Sequence, residues 1–257
     1  MNVHPTSIID PEAEIGAGVT IGPYCVIGPA VVLGEGCWLQ NHVTLCGPSK
    51  IGTRNRFFAY CSVGQQSQDL KYMGEPTHLE IGNENVFREF VTVSRATGKG
   101  NVTRIGNHGN FLAYSHIAHD CEVGDRVIFS NNATLGGHVI VEEHAVLGGL
   151  TAVHQFCRIG KHAITGGCTK IVQDVPPFMI VDGNPAEVRG VNLVGLERRG
   201  FSLDTIRALK EAYRILYRAK LNTKQALEEL GRNGLAETPE VNDLMKFIET
   251  SQRGIVR

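Results

Sequence analysis

A period of six governs the first two-thirds of this chain. Of the 29 positions taken six apart from Val3 to Ile171, all but Asp69, Glu75, Lys99 and Thr165 are apolar. Typical members are Ile9, Ile15, Ile21, Leu33, Leu39, Leu45, Ile117, Val123, Phe129, Leu135 and Val153. The next residue is often glycine (Gly16, Gly22, Gly28, Gly34, Gly52, Gly82, Gly106, Gly124, Gly136, Gly160). The residue four places after the apolar one is usually small (Ala13, Val19, Val31, Val43, Ala133, Val139, Ala145, Thr151, Ala163). Helices repeat every 3.6 residues and strands every two, so neither explains this pattern. Short strands joined by a corner every six residues do. The apolar residue points inward, glycine accommodates the turn, and the small residue fits the crowded interior. Three such strands close a triangular coil of roughly 18 residues, the hexapeptide β-helix, with coils stacked about 4.8 Å apart. The expected fold is therefore mainly β, a parallel β-helix.

Residues 66–79 and 96–103 break the pattern, yet the register resumes unchanged, so both read as loops protruding from a prism. Loops on a rigid scaffold often carry function. The 30 glycines and 7% aromatic content fit a structure of many similar turns. A net charge of −1 with 20% charged residues gives no electrostatic case for nucleic acid. No run approaches the roughly 18 apolar residues of a membrane span, and no basic segment followed by an apolar stretch opens the chain. The expected location is the cytoplasm.

The repeat also accounts for most cysteines. Cys25, Cys37, Cys61, Cys121 and Cys157 fall on the small interior position and read as buried small hydrophobes. Cys46 and Cys168 fall elsewhere, without metal-ligand spacing.

After Ile171, Pro176 and Pro177 are expected to end the coil. Ser202 suits the N-cap of a helix over 203–218, with Ile206, Leu209, Tyr213, Ile215 and Leu216 as its apolar stripe. A second helix is expected over 223–232. Thr238 and Pro239 suit the cap and first turn of a third, with Val241, Leu244, Phe247 and Ile248 facing inward. The division expected is a β-helix over 1–185 and a small helical domain over 190–257, which at its simplest caps the last coil.

Several of the ten histidines crowd one region: His116, His119, His138 and His154. Stacking arithmetic puts Gly137 one coil above His119 and Gln155 above Gly137, with His138 and His154 beside that column and His116 one strand step before it. Two chemistries fit such a patch. One histidine can act as a general base toward a sugar hydroxyl, with a glycine amide stabilising an oxyanion. Alternatively, three histidines can hold zinc and activate water. Spacing alone leaves both open.

The wording of several segments is more specific than the repeat. The run His116-Ile117-Ala118-His119-Asp120-Cys121 resembles the catalytic segment of the UDP-N-acetylglucosamine O-acyltransferase family. The likeness extends through 68–77, 131–138, 151–157, 173–177 and 195–201, nearly the whole chain. It implies the left hand of the coil. It also implies transfer of an (R)-3-hydroxyacyl chain from acyl carrier protein to the glucosamine 3-hydroxyl of UDP-N-acetylglucosamine, the first step of lipid A biosynthesis. His119 then matches the general base, Asp120 its orienter and Gly137 the oxyanion donor. His116, His138 and His154 match sugar- or acyl-contacting positions, and Asp69 and Lys71 match loop residues that bind donor or acceptor. Gln155, Asn192, Arg198 and Arg199 match nucleotide-binding positions, arginine suiting a diphosphate. Gly167 stands where the family sets acyl length, and its missing side chain suggests a longer chain. The family site lies between subunits of a homotrimer and uses no cofactor or metal. Val194 and the Asn184-Pro185 pair depart from some relatives, so no ribose contact is carried over to Val194. Against this reading stand the sister N-acyltransferase of the same pathway, a zinc hydratase and a purely structural β-helix. Arg158 and Lys161 are candidate contacts for the acidic carrier protein.

Overall fold

The computed structural model describes residues 2–257 and shows a left-handed parallel β-helix followed by four short α-helices. Short strands, most of two residues, run along three faces of a prism. The first face has 11 strands, from Asn2–Val3 to Glu187–Val191. The second has nine, from Ile8–Ile9 to Lys170–Ile171, and the third eight, from Glu14–Ile15 to Arg158–Ile159. In regular coils the paired residues lie 18 apart, as in Thr20↔Trp38, Val26↔Thr44 and Glu14↔Val32. The apolar residue of each repeat is buried from Ile21 onward, with Val3, Ile9 and Ile15 of the first coil half-buried, and so are small ones such as Val19, Val43 and Ala133. Burying each large side chain contributes about 1.5–3 kcal/mol. Phe57, Phe87 and Phe111 stack inside the prism with ring centroids 4.9 Å apart at each step.

Glycine does a different job from the one expected of it. The left-handed backbone falls two residues later, on ordinary residues such as Tyr24 (φ 57°), Asp120 (φ 58°) and His138 (φ 59°). The repeat glycines are instead required by close stacking. A Cβ on Gly34 would lie 2.5 Å from the carbonyl carbon of Gly52 in the next coil. Of the four exceptions to the apolar pattern, Asp69, Glu75 and Lys99 lie in the loops. Thr165 is buried, where its hydroxyl meets that of Thr151 at 2.9 Å. The five interior cysteines are buried and unpaired, and burial pushes the Cys61 and Cys121 thiols up to about 12.

Both loops leave the prism at the same corner. They run from second-face strands (Ser62–Gln65, Thr92–Ser94) to third-face strands (His78–Ile81, Val102–Ile105). The register steps to 30 residues at Arg56↔Val86 and 24 at Val86↔Asn110, then returns to 18 at Asn110↔Ile128. Both insertions are thus multiples of six, which is why the pattern resumes unchanged.

The prolines do not end the coil. Met179–Asp182 continues the first face beyond Pro176 and Pro177, pairing in parallel with Ile164–Thr165. Glu187–Val191 then folds back antiparallel to it, so the sheet runs past residue 185. The helices are α1 (Leu193–Arg198), α2 (Leu203–Arg218), α3 (Thr223–Arg232) and α4 (Pro239–Glu249). α2 and α3 have the expected bounds. Ser202 caps α2 through the Thr205 amide, and Asn222 and Gln225 form a capping box on α3. Thr238 sits at the start of α4 without a side-chain cap bond. Val241, Leu244, Phe247 and Ile248 face inward as expected. α1 escaped the sequence reading because six residues carry too little periodicity.

Arg158 and Lys161 tie α4 to the coil. Arg158 contacts Glu142 at 3.2 Å and Thr250 at 3.0 Å and lies over the Phe247 ring, while Lys161 meets Asp243 at 2.6 Å. They are not the free cations a carrier protein would need. Among the described residues, no helix is long and apolar enough to cross a membrane.

Candidate active site at the corner between the second and third faces

Strand pairing brings the histidines together. His116–Ile117 pairs with Thr134–Leu135, which pairs with Ala152–Val153, each 18 residues on. The corners that follow these strands therefore stack, and Gly137 lies over His119 with Gln155 above it, as the arithmetic requires. A Cβ on Gly137 would lie 2.5 Å from His119 Nε2, so only glycine leaves the imidazole its place. The Gly137 N–H meets no protein acceptor among the described residues.

His119 Nδ1 is hydrogen-bonded to Asp120 Oδ2 at 2.8 Å. The His119 side chain is 12% exposed and that of Asp120 8%. His138 meets the His119 ring edge-on, with centroids 5.2 Å apart, and its Nε2 lies 3.8 Å from Asp120 Oδ2. Phe156 stacks on His138 at 4.6 Å. His116, on the second face, bonds Thr92 through Nδ1 at 2.7 Å. Burial, then the nearby His119, holds its pKa below the usual histidine value, so it stays neutral at pH 7. His119, Asp120 and His138 also form the one group of three metal-capable side chains found among the described residues. A shallow cleft beside them is lined by Asn101, Arg104, Glu122 and His138. A broader groove runs down the third face past Lys50, Glu80 and Arg104, but none of the histidines lines it.

Other expected residues lie apart. His154 and Gln155 are exposed one coil higher, His154 Nδ1 lying 3.1 Å from the Gln155 carbonyl. Asp69 and Lys71 sit on the first loop, at the same corner below His119, with the Lys71 N–H donating to Asp69 Oδ1 at 2.9 Å. Gly167 is exposed at the corner between the first and second faces. A Cβ there would lie 3.4 Å from the Gly149 carbonyl, so packing does not demand glycine. Arg198 and Arg199 end α1 near the third corner, where Arg199 Nε donates to His144 Nδ1 at 3.2 Å. Asn192 is buried and fully engaged. It donates to the His162 carbonyl at 2.9 Å and accepts the Gly195 N–H at 3.0 Å, capping α1. A single chain thus gathers His116, His119, Asp120, Gly137 and His138, and leaves Gly167 and the arginines on other corners.

The sequence reading missed Thr97, Asn101 and Thr103, which bond to Asp120. The loop spacing held the signal, since the two insertions lie one coil apart and so fall at the same corner.

A family model described as UDP-N-acetylglucosamine O-acyltransferase, domain 2, matches residues 174–256. A Thiobacillus denitrificans protein named acyl-[acyl-carrier-protein]–UDP-N-acetylglucosamine O-acyltransferase is 48% identical over 256 residues, 99% of each chain. Solved structures of LpxA from Acinetobacter baumannii (44% identity, TM-score 0.96) and of UDP-N-acetylglucosamine O-acyltransferase from Moraxella catarrhalis (42%, TM-score 0.94) each match over 100% of both chains. With this likeness running from end to end through the prism, its loops and its helices, the chain belongs to the UDP-N-acetylglucosamine O-acyltransferase family.

Proposed function

We propose that this protein transfers an (R)-3-hydroxyacyl chain from acyl carrier protein to the glucosamine 3-hydroxyl of UDP-N-acetylglucosamine, by direct attack on the thioester, as the first step of lipid A biosynthesis. The observation that carries the reading is the His119–Asp120 pair set under an unpartnered Gly137 amide. Asp120 engages Nδ1, which leaves Nε2 as the basic nitrogen. Nε2 takes the sugar hydroxyl proton as the oxygen attacks the thioester carbon, and the carbonyl oxygen becomes an oxyanion facing the Gly137 N–H. Collapse breaks the carbon–sulfur bond, and the imidazolium, stabilised by Asp120, returns the proton to the departing thiolate. The thioester is already activated, so positioning and proton transfer suffice, with neither metal nor cofactor.

His116, His138 and His154 line the path of sugar and acyl groups, and Asp69 and Lys71 meet donor or acceptor from the loop. Gln155 and the two arginines take the nucleotide, with Asn192 fixing the helix that carries Arg198 and Arg199. Two observations support a homotrimer with sites between subunits. The outward residues of the second face include no Asp, Glu, Lys or Arg from Ile8 through Val26, Thr44, Ser62, Thr92, His116, Thr134 and Ala152, and Lys170 on the last strand is the first that is charged. The corner beside it carries an exposed stack of Tyr24, His42, Tyr60, Phe90 and Tyr114, with centroids 4.8–5.0 Å apart. Turning this face toward a common axis sets the His119 corner of one chain beside the Gly167 corner of the next.

The test supplies purified protein with UDP-N-acetylglucosamine and carrier proteins bearing different 3-hydroxyacyl chains. The expected product is a 3-O-acyl ester, with one free carrier thiol per ester. An amide-linked product, or none with any chain length, overturns the reading.

A further inference from the structure

The Asp120 carboxylate is held chiefly from the coil below. Its Oδ2 accepts the Thr97 N–H at 2.9 Å besides His119, its Oδ1 accepts Asn101 Nδ2 at 3.3 Å, and its own N–H donates to the buried Thr103 hydroxyl at 2.9 Å. Asn101 Nδ2 also reaches the Thr97 carbonyl at 2.7 Å, closing the turn of the second loop. The first loop clamps that turn in its place. Ser67, buried at its base, meets the Thr97 hydroxyl at 2.5 Å, and the Gly98 N–H donates to Glu75 Oε1 at 2.9 Å. The other Glu75 oxygen accepts the Met73 N–H at 2.8 Å. The Asp69 N–H lands on Ser67 Oγ at 3.1 Å, so the segment bearing Asp69 and Lys71 is two hydrogen bonds from the turn that aims Asp120.

We propose that Thr97 and Asn101 are positioning residues for the His119–Asp120 pair, and that the Ser67–Thr97 and Glu75–Gly98 ties couple the first loop to it. The inference rests on the general-base reading. Two donors on Asp120 fix the direction of Oδ2 toward His119 Nδ1. An ordered first loop thus keeps the base aligned, and a displaced loop releases it.

The test compares Asn101→Ala with Asn101→Asp. Aspartate keeps the shape of asparagine but replaces the donor with a like charge against Asp120. A shape-only role ranks Asn101→Asp nearest to wild type, whereas the positioning role ranks it last. The expected result is a kcat about tenfold lower for Asn101→Ala, the scale of one net hydrogen bond. Asn101→Asp falls further, and KM for UDP-N-acetylglucosamine stays within about twofold for both. In an Asp120→Asn background Asn101→Ala then costs nothing more, as coupled residues require. The proton NMR signal of His119 Nδ1–H moves in Asn101→Ala and in Thr97→Val, which cuts the Ser67 tie but keeps the Thr97 amide. Wild-type kcat in both Asn101 variants, or a better enzyme with aspartate than with alanine, overturns the proposal. Full turnover in His119→Ala overturns the general-base reading beneath it, a different and separable result.

Discussion

Gly137 and His119 lie 18 residues apart in sequence and in contact in space, so close that a Cβ on Gly137 would meet the imidazole 2.5 Å from Nε2. The neighbour is a side chain, so Gly137→Ala is expected to leave the coil standing and to push the ring away. Alanine keeps the backbone N–H, so if the ring is the base the loss comes from its displacement, and turnover falls by about 10²-fold or more, the scale of general-base catalysis. Thermal unfolding of the variant should match wild type within a few degrees. A folded Gly137→Ala enzyme with full turnover would remove the His119 ring from the chemistry.

His119→Ala is expected to lose about 10²- to 10⁴-fold in kcat, the range of general-base catalysis. Asp120→Asn should lose on a similar scale for a different reason. A neutral amide neither stabilises the imidazolium nor reliably accepts from Nδ1, so the wrong nitrogen can carry the proton. Steady-state kinetics on both variants decide the matter. A structural role for the histidine patch predicts turnover near wild type in each.

The prism was legible because the constraint that builds it is periodic. Every coil demands an inward apolar residue and a small interior one, and the chain writes both at the same spacing. That periodicity also gave the stacking of Gly137 over His119. It could not give the role of the repeat glycines, because close approach to the next coil and positive φ both favour glycine and differ only in three dimensions. Nor could it give the end of the coil. Pro177 sits between strands, where no ladder hydrogen bond is lost, so Met179–Asp182 resumes the sheet. Thr97 and Asn101 lie in a segment without repeat, and their bonds to Asp120 depend on how two loops pack against each other.

Gly167 is glycine without a packing reason, since a Cβ there would sit at an ordinary contact distance. Wild-type protein is therefore expected to prefer 14-carbon to 10-carbon 3-hydroxyacyl donors, and Gly167→Met to invert that order. Competition between the two donors in one reaction measures the ratio. A wild-type preference for the 10-carbon donor would sink the assignment of Gly167 as the end of the acyl groove.

The ligand-capable atoms of His119, Asp120 and His138 lie within 4.8 Å of one another, which keeps a metal-dependent hydratase in view. In the acyltransfer reading His119 Nδ1 is committed to Asp120, and zinc would compete for the same groups. Chelator treatment is therefore expected to leave acyl transfer within about twofold, and added zinc to inhibit it. Chelator-sensitive turnover, restored by stoichiometric zinc, would reverse the assignment.

His162 makes stability depend on acidity at the third corner. It is buried between His144, stacked at 4.8 Å, and Phe178 at 5.7 Å, and its Nδ1 has no partner among the described residues. Burial, then the charges of His144, Arg199 and Lys161, push its pKa down to about 4. An unfolded histidine titrates near 6.5, so below that pH the unfolded chain binds a proton the folded one refuses. The stabilisation is fully present above about pH 6.5 and is lost as pH falls toward 4, by at most about 3 kcal/mol. Chemical denaturation at fixed protein concentration, at pH 7 and pH 4.5, is expected to show a larger loss for wild type than for His162→Phe, which keeps the aromatic stack without the titration. Equal losses would assign the acid sensitivity elsewhere. Because the His162 carbonyl also holds Asn192, the cap of the helix bearing Arg198 and Arg199, KM for the nucleotide sugar should rise over the same pH interval in wild type and less in the variant.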